Sequence, residues 1–277
     1  LWLVIAAAIV VVLLVIALVV VLTRDKGPGG TPKAAVQTYL EGLANGDAKK
    51  ALGVMRTPPS DKLLNDNVLK QQQAIAHITD INVRDAENQY GDNAQVKATY
   101  KFGDRNADID VRLTKSSDGW QVEDGAIPIT LDYQKVPQLT LFGVDVAQDS
   151  KVYLFPGPQS WGSKNQYLAP KQQGDSDFPL GPASYSSVIL QTGLSTKGEA
   201  TVKSAVDTYL TNCAASTQTR AATDRPGCGQ AIYQDAPAGS VRWIKPADLS
   251  DVEYRVDYTT PSKVSVSGYV QWSATYP

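Results

Sequence analysis

Apolar residues follow three different rhythms along this chain. From Leu1 to Leu22 they are continuous, with no charge and almost no polar side chain. At about 1.5 Å per residue a helix of that length reaches roughly 33 Å, the thickness of a hydrocarbon core, so the run predicts a membrane-spanning helix. A secretory signal competes with this reading. Its apolar core spans about 7 to 15 residues and ends at a small-residue cleavage site, whereas Thr23, Arg24, Asp25 and Lys26 follow directly here. Within the run, Ala6, Ala7 and Ala8 are small enough for close packing and are the expected contact with a partner helix. Trp2 is the expected anchor at the lipid interface.

Beyond the tether Gly27-Pro28-Gly29-Gly30 the rhythm becomes helical. Thr31 and Pro32 form a helix start, a capping hydroxyl followed by a proline whose missing N–H costs nothing there. Val36, Tyr39, Leu40 and Leu43 then make one apolar stripe. Asn45-Gly46 ends this helix and Asp47 caps a second, with Leu52 and Met55 inward; a third is expected from near Ser60, with Leu63, Leu64, Val68 and Leu69.

The period then changes to two. Val96, Ala98, Tyr100 and Phe102 alternate with polar residues, Ile109, Val111 and Leu113 do so again, and Asp118-Gly119 supplies a hairpin turn into Trp120 and Val122. From about Ile127 to Thr192 helical periodicity is absent, and short apolar runs are broken by Gly143, Pro156-Gly157-Pro158, Gly174 and Pro179, which predicts a small all-β module with a long loop.

An internal repeat organises the rest. Ala35-Val36-Gln37-Thr38-Tyr39-Leu40 recurs as Ala205-Val206-Asp207-Thr208-Tyr209-Leu210, five of six positions identical, again at the start of a helix followed by alternating strands. Val252, Tyr254, Val256 and Tyr258 alternate, then Val264, Val266, Gly268, Val270 and Trp272. Where the first copy has two more helices, the second has a loop between Cys213 and Cys228, and the expectation is that a disulfide replaces the contacts of the missing helices.

The chain is therefore expected to be α+β: a transmembrane helix over 1–22, a tether over 23–30, and a first helix-plus-antiparallel-sheet, cone-like domain over 31–126. The small β module follows over 127–194, and a second such domain with the disulfide loop over 195–277. Leu at position 1, with Met55 the only methionine, adds the expectation that the natural chain begins upstream.

Charge and cysteine chemistry narrow the function. Net charge is −2, which gives no electrostatic footprint for nucleic acid. The polar segment between the two cysteines reads as a disulfide-closed loop, worth about 3 kcal/mol in the chain-entropy model and persistent only in an oxidising compartment, so the domains are expected outside the cytoplasm, behind a single membrane span. Free thiols and a zinc site are the alternatives; for zinc, His77 is the sole histidine and the set needs carboxylates to complete it. Arg24 and Lys26 argue against this orientation, since positive charge gathers on the cytoplasmic side; the upstream flank that the rule compares is missing.

No nucleophile elbow, phosphate loop, metal-ligand pair or histidine triad occurs at working spacing, so no catalytic, cofactor or metal residue is assigned. Asp108, Asp110 and Arg112 share a strand face and read first as a solvated charge ladder, with two carboxylates placed for acid–base work or a cation as the alternative. Gly174-Asp175-Ser176-Asp177 offers too few oxygens for calcium. Trp120 and Trp272 are expected in the core, and Trp161, in a loop, is the expected partner contact.

The segments AVQTYLEGLANGDAKKAL and DGWQVEDG resemble the cone-shaped α+β fold of the nuclear transport factor 2 superfamily, and more narrowly the lumazine-binding-like extracytoplasmic domains of actinobacterial membrane proteins. LTLFGVDV with VYLFPGPQSW is similar to β modules between such domains, and YLTNCAAS with RPGCG to their disulfide-bearing second copies. The resemblance implies an accessory subunit held against other membrane protein subunits, with the actinobacterial supercomplex of cytochrome bc and cytochrome oxidase as the specific expectation. Two alternatives accompany it. One is a binding module whose cone, lined by Tyr39, Tyr100 and Phe102, holds a lipid or other apolar cell-envelope ligand. The other is a hydrolase or isomerase, which requires a buried Asp or Glu in the same cone.

Overall fold

The computed structural model describes residues 29–131, 136–173, 178–184, 186, 188–257 and 260–277. The expected spanning helix over 1–22, with Trp2 and the Ala6–Ala8 patch, lies outside the described residues. Among the described residues no helix is long and apolar enough to cross a membrane. The longest, Thr196–Ala214, carries Lys197, Glu199, Lys203 and Asp207. The expected fold class is corrected accordingly: the described structure is α+β with no membrane-spanning helix.

The chain divides into two compact units, the first from residues 29–131, 148–160 and the described part of 173–189, the second from 136–147, 161–172 and the described part of 190–277. In the first unit, helix α1 (Pro32–Ala44) starts where Thr31 accepts the Ala34 N–H at 3.1 Å, and buries Ala35, Val36, Tyr39, Leu40 and Leu43. Asp47 caps the short α2 (Ala48–Leu52). A Cβ at Gly42 would lie 2.7 Å from the Ala51 nitrogen, so glycine there is what lets the two helix backbones meet. Helix α3 (Asp66–Ile75) begins later than the expected Ser60, because Asp61 turns the chain by accepting the Leu63 N–H and Asn65 supplies the cap.

These helices pack on an antiparallel sheet of β1 (Ile78–Val83), β2 (Asn88–Tyr90), β3 (Asn93–Phe102), β4 (Arg105–Ser116) and β5 (Gly119–Val122), ordered β1-β3-β4-β5 with β2 beside β3. Alternation along β3 sends Ala94, Val96, Ala98, Tyr100 and Phe102 inward and Gln95 and Lys101 to solvent. Strand β6 (Ile127–Thr130) follows, and then β7 (Leu139–Leu141), β8 (Val144–Asp145), β9 (Lys151–Leu154), β10 (Trp161–Ser163), β11 (Leu168–Gln173) and β12 (Ile189–Leu194).

The segment expected to form one β module over 127–194 is divided between the units. Strands β6 and β9 pair in the first, where Phe155 joins the main core. Strands β7, β8 and β10 form a three-stranded sheet in the second.

The second unit does not repeat the first. Helix α4 (Thr196–Ala214) is capped by Ser195 and wedged at its start, where a Cβ at Gly198 would meet the Tyr167 carbonyl at 2.1 Å. The strands β13 (Arg242–Ile244), β14 (Glu253–Val256), β15 (Val264–Ser267) and β16 (Ser273–Thr275) form only two-stranded pairs, β13 with β16 and β14 with β15. The expectation of two comparable cone-like domains is therefore corrected. Proline at 246 and 261 and Gly268 cut the apolar alternation into strands of three or four residues, without the ten- and twelve-residue strands that form the spine of the first unit's sheet.

Candidate functional site

In the first unit the space between helix and sheet is filled. Tyr39, Tyr100 and Phe102, expected to line a ligand pocket, are core side chains. The Tyr39 hydroxyl donates to the Gly125 carbonyl at 2.6 Å, and that of Tyr100 to the Leu180 carbonyl. Burial pushes the Tyr39 phenol well above its ordinary range, with Tyr100 adding to the effect, and burial raises Tyr100 too. Both stay neutral donors. Phe102 packs edge-on against Tyr100 and Phe178, and the Arg105 guanidinium covers Phe178 at 4.5 Å.

Of the buried polar side chains among the described residues, Gln72, Gln73 and Ser186 belong to the first unit and Thr140, Ser216 and Gln230 to the second. Gln72 donates its amide to the Phe155 and Pro158 carbonyls, which ties the 155–158 turn to α3.

The charge ladder stands on the outer sheet face. Asp108 pairs with Lys97 at 3.1 Å and Arg112 with Asp124 at 3.2 Å, all well exposed except the half-buried Lys97, and Asp110 lies opposite Lys97 in register. His77 is exposed at the start of β1. The 174–177 stretch lies outside the described residues. No group of three or more potential metal ligands occurs among the described residues.

Cys213 and Cys228 form the disulfide, with Cα atoms 5.5 Å apart. Extending the repeat alignment from Leu40 and Leu210 sets Leu43 opposite Cys213, so a core leucine of the first copy is a buried half-cystine in the second. Ala221 packs on the bridge together with half-buried Trp272, which meets Trp243 edge-on at 6.2 Å. Gln230 donates to the Cys213 carbonyl at 2.8 Å and Trp243 to the Gln218 carbonyl at 3.0 Å, closing a small second core at the C-terminal end of α4. Trp161, expected in an exposed loop, is half-buried on β10 opposite Leu141.

The site that sequence reasoning missed lies along α4 from Thr201 to Leu210. A groove of about 640 Å³ lies between α4 and the β14–β15 ribbon, lined mainly by Val202, Val206, Tyr209, Val264, Val266 and Val270. The repeat gives its meaning. Tyr39 is fully buried and its counterpart Tyr209 is 48% exposed; Ala35 is buried and Ala205 exposed; only Leu210 matches the burial of Leu40. Even the phenol bond is reproduced, Tyr209 donating to the Gly227 carbonyl at 2.7 Å. The groove is an apolar helix stripe whose covering layer is incomplete, and the signal was available as the repeated stripe followed by unequal strands.

No protein-family model matches the chain, and no curated protein matches it. Among solved structures, one described as an NTF2-like transpeptidase from Campylobacter jejuni matches 33% of this chain and 96% of its own, at 17% sequence identity and a TM-score of 0.27.

Proposed function

We propose that this chain is a noncatalytic accessory protein of an oxidising, extracytoplasmic compartment, a subunit of a membrane-associated assembly that works by contact. The observation that supports this reading most is the open groove of the second unit. The same helix stripe is core in the first copy, whereas in the second Ala205 and Tyr209 are exposed and Val206 is half-buried beside the groove, and a concave, mostly apolar site is the usual place for a bound segment or ligand. The disulfide supports the compartment. The resemblance noted for the sequence makes the actinobacterial cytochrome bc and cytochrome oxidase supercomplex the first assembly to test.

A second reading, an apolar small ligand in the groove, is favoured by its size, since about 640 Å³ falls within the range of about 300 to 1,000 Å³ usual for ligand pockets. Affinity purification of the tagged chain in gentle detergent, with mass spectrometry of what it carries, separates the two. The same purification is run on a Val206→Lys, Val266→Lys variant. A stoichiometric protein partner lost from the variant is the expected result. A bound lipid with no partner moves the assignment to the ligand reading. Recovery of the bare chain, or of the same partner at equal yield from both forms, overturns the proposal.

A further inference from the structure

Three features of the second unit converge on what the groove takes. In the first unit α1 is covered by strands, packing against β1, β3 and β5 as well as the two short helices, whereas α4 touches chiefly β13. What the second copy lacks is therefore sheet. The ribbon beside the groove is also unfinished: neither β14 nor β15 pairs with any other described strand, and a lone two-stranded ribbon is marginal in water. Finally, from Val264 to Pro277 the chain carries no charged side chain. Natural edge strands are normally blunted by brevity, lysine, proline or a bulge; β15 is short, but it carries no lysine or proline within Val264–Ser267, and Val266 is 46% exposed.

The groove lies on the β15 side of the ribbon. Val264, Val266, Ser267, Gly268 and Val270 line it, and among the described residues only Val252 comes from beside β14. The far end of β15 is fixed in place at Gly268, where φ is +153° and a Cβ would lie 2.3 Å from the Asp251 carbonyl oxygen, so no other residue fits this approach. The free edge is thus held open alongside the stripe of α4.

We infer that the groove receives an extended segment of a partner polypeptide, which pairs with the free edge of β15 as a third strand and lays alternate apolar side chains on Val202, Val206 and Tyr209. The segment carries no charge on its inward face, because the described lining side chains offer only aliphatic groups, the hydroxyls of Thr201 and Ser267, and the Tyr209 phenol already committed to Gly227. Its main-chain groups supply the ladder and its alternate side chains the selectivity, the division of labour usual in strand addition. This inference rests on the contact reading above and specifies the partner's conformation.

Amide hydrogen exchange tests it on the full chain, alone and in the assembly it purifies with. Exchange over Val264–Ser267 should be at least about tenfold slower in the assembly. Val266→Lys should release the partner, while Ser262→Lys, an exposed charge just before the strand, should not. A partner that stays bound while β15 exchanges at its free rate overturns strand addition and leaves the contact reading standing. No partner at all sinks both. Protection already present in the isolated chain, together with sedimentation as a dimer, makes the occupant a second copy and overturns the partner assignment.

Discussion

The stripe Ala35, Val36, Tyr39 and Leu40 and its counterpart Ala205, Val206, Tyr209 and Leu210 carry the same four residues, yet the first is wholly buried and in the second only Leu210 is. Local sequence accounts for what they share: a hydroxyl cap, a helix, and one apolar face with a tyrosine whose hydroxyl reaches a glycine carbonyl. It does not decide burial. That depends on residues 40 or more positions away, where β3 and β4 of the first copy run for ten and twelve residues and β14 and β15 of the second for four each. A stripe becomes core only when the chain also supplies a layer to cover it.

The largest expected effect breaks this equivalence directly. Tyr39→Ala should destabilise the first unit by about 3 to 5 kcal/mol, the usual cost of emptying a large aromatic from a packed core. Tyr209→Ala should cost the isolated chain less than about 1 kcal/mol, as for a surface site. Urea titration followed by amide exchange in each unit reads the two separately. Equal costs would mean that the second stripe is already filled, and the groove would no longer distinguish the copies.

The disulfide sharpens the comparison at the C-terminal end of α4. It anchors α4 where the first copy uses Leu43 and two further helices. Replacing Cys213 and Cys228 together with alanine should remove about 3 kcal/mol from the second unit and leave exchange in the first unchanged. Loss spread over both units would show that they do not unfold independently.

The features legible in the sequence were the periodic ones. The cap at Thr31, the stripe of α1, the alternation of β3 and β4 and the Cys213–Cys228 bridge each rest on contacts between near neighbours or on a pair with few alternatives. The division of 127–194 was not legible, because β6 finds β9 and β7 finds β10 across intervening segments whose short runs look alike. The pocket expected around Tyr39, Tyr100 and Phe102 failed for a related reason. Inward-facing aromatics fill a cone as readily as they line one, and the Leu180 and Gly125 carbonyls that hold the two phenols come from segments with no helical or strand period. The groove was not legible because the repeated helices are alike in sequence, while whether they are covered depends on strands that run for ten and twelve residues in one copy and four in the other.

The smallest effect separates the copies by pH. On α1, Glu41 accepts from Lys50 at 2.7 Å and from Gln37 at 2.9 Å, and the Lys50 bond, then that of Gln37, holds its carboxyl below the ordinary value of 4.5. The aligned residue of α4 is Thr211, which cannot titrate in this range. A carboxyl whose folded pKa is depressed contributes stability that is fully present above the unfolded value and disappears as pH falls through the folded one. The first unit should therefore lose this contribution below about pH 4.5. Both Glu41 and Lys50 are half-buried, with more than a third of each side chain open to water, so solvent screening limits the pair to about 0.5 kcal/mol. Urea midpoints of the first unit at pH 7 and pH 3, in the natural chain and in Glu41→Gln, measure it: the variant should show the shallower acid loss. Equal slopes would mean that the pair is formed but contributes nothing, and that what distinguishes α1 from α4 is its covering layer alone.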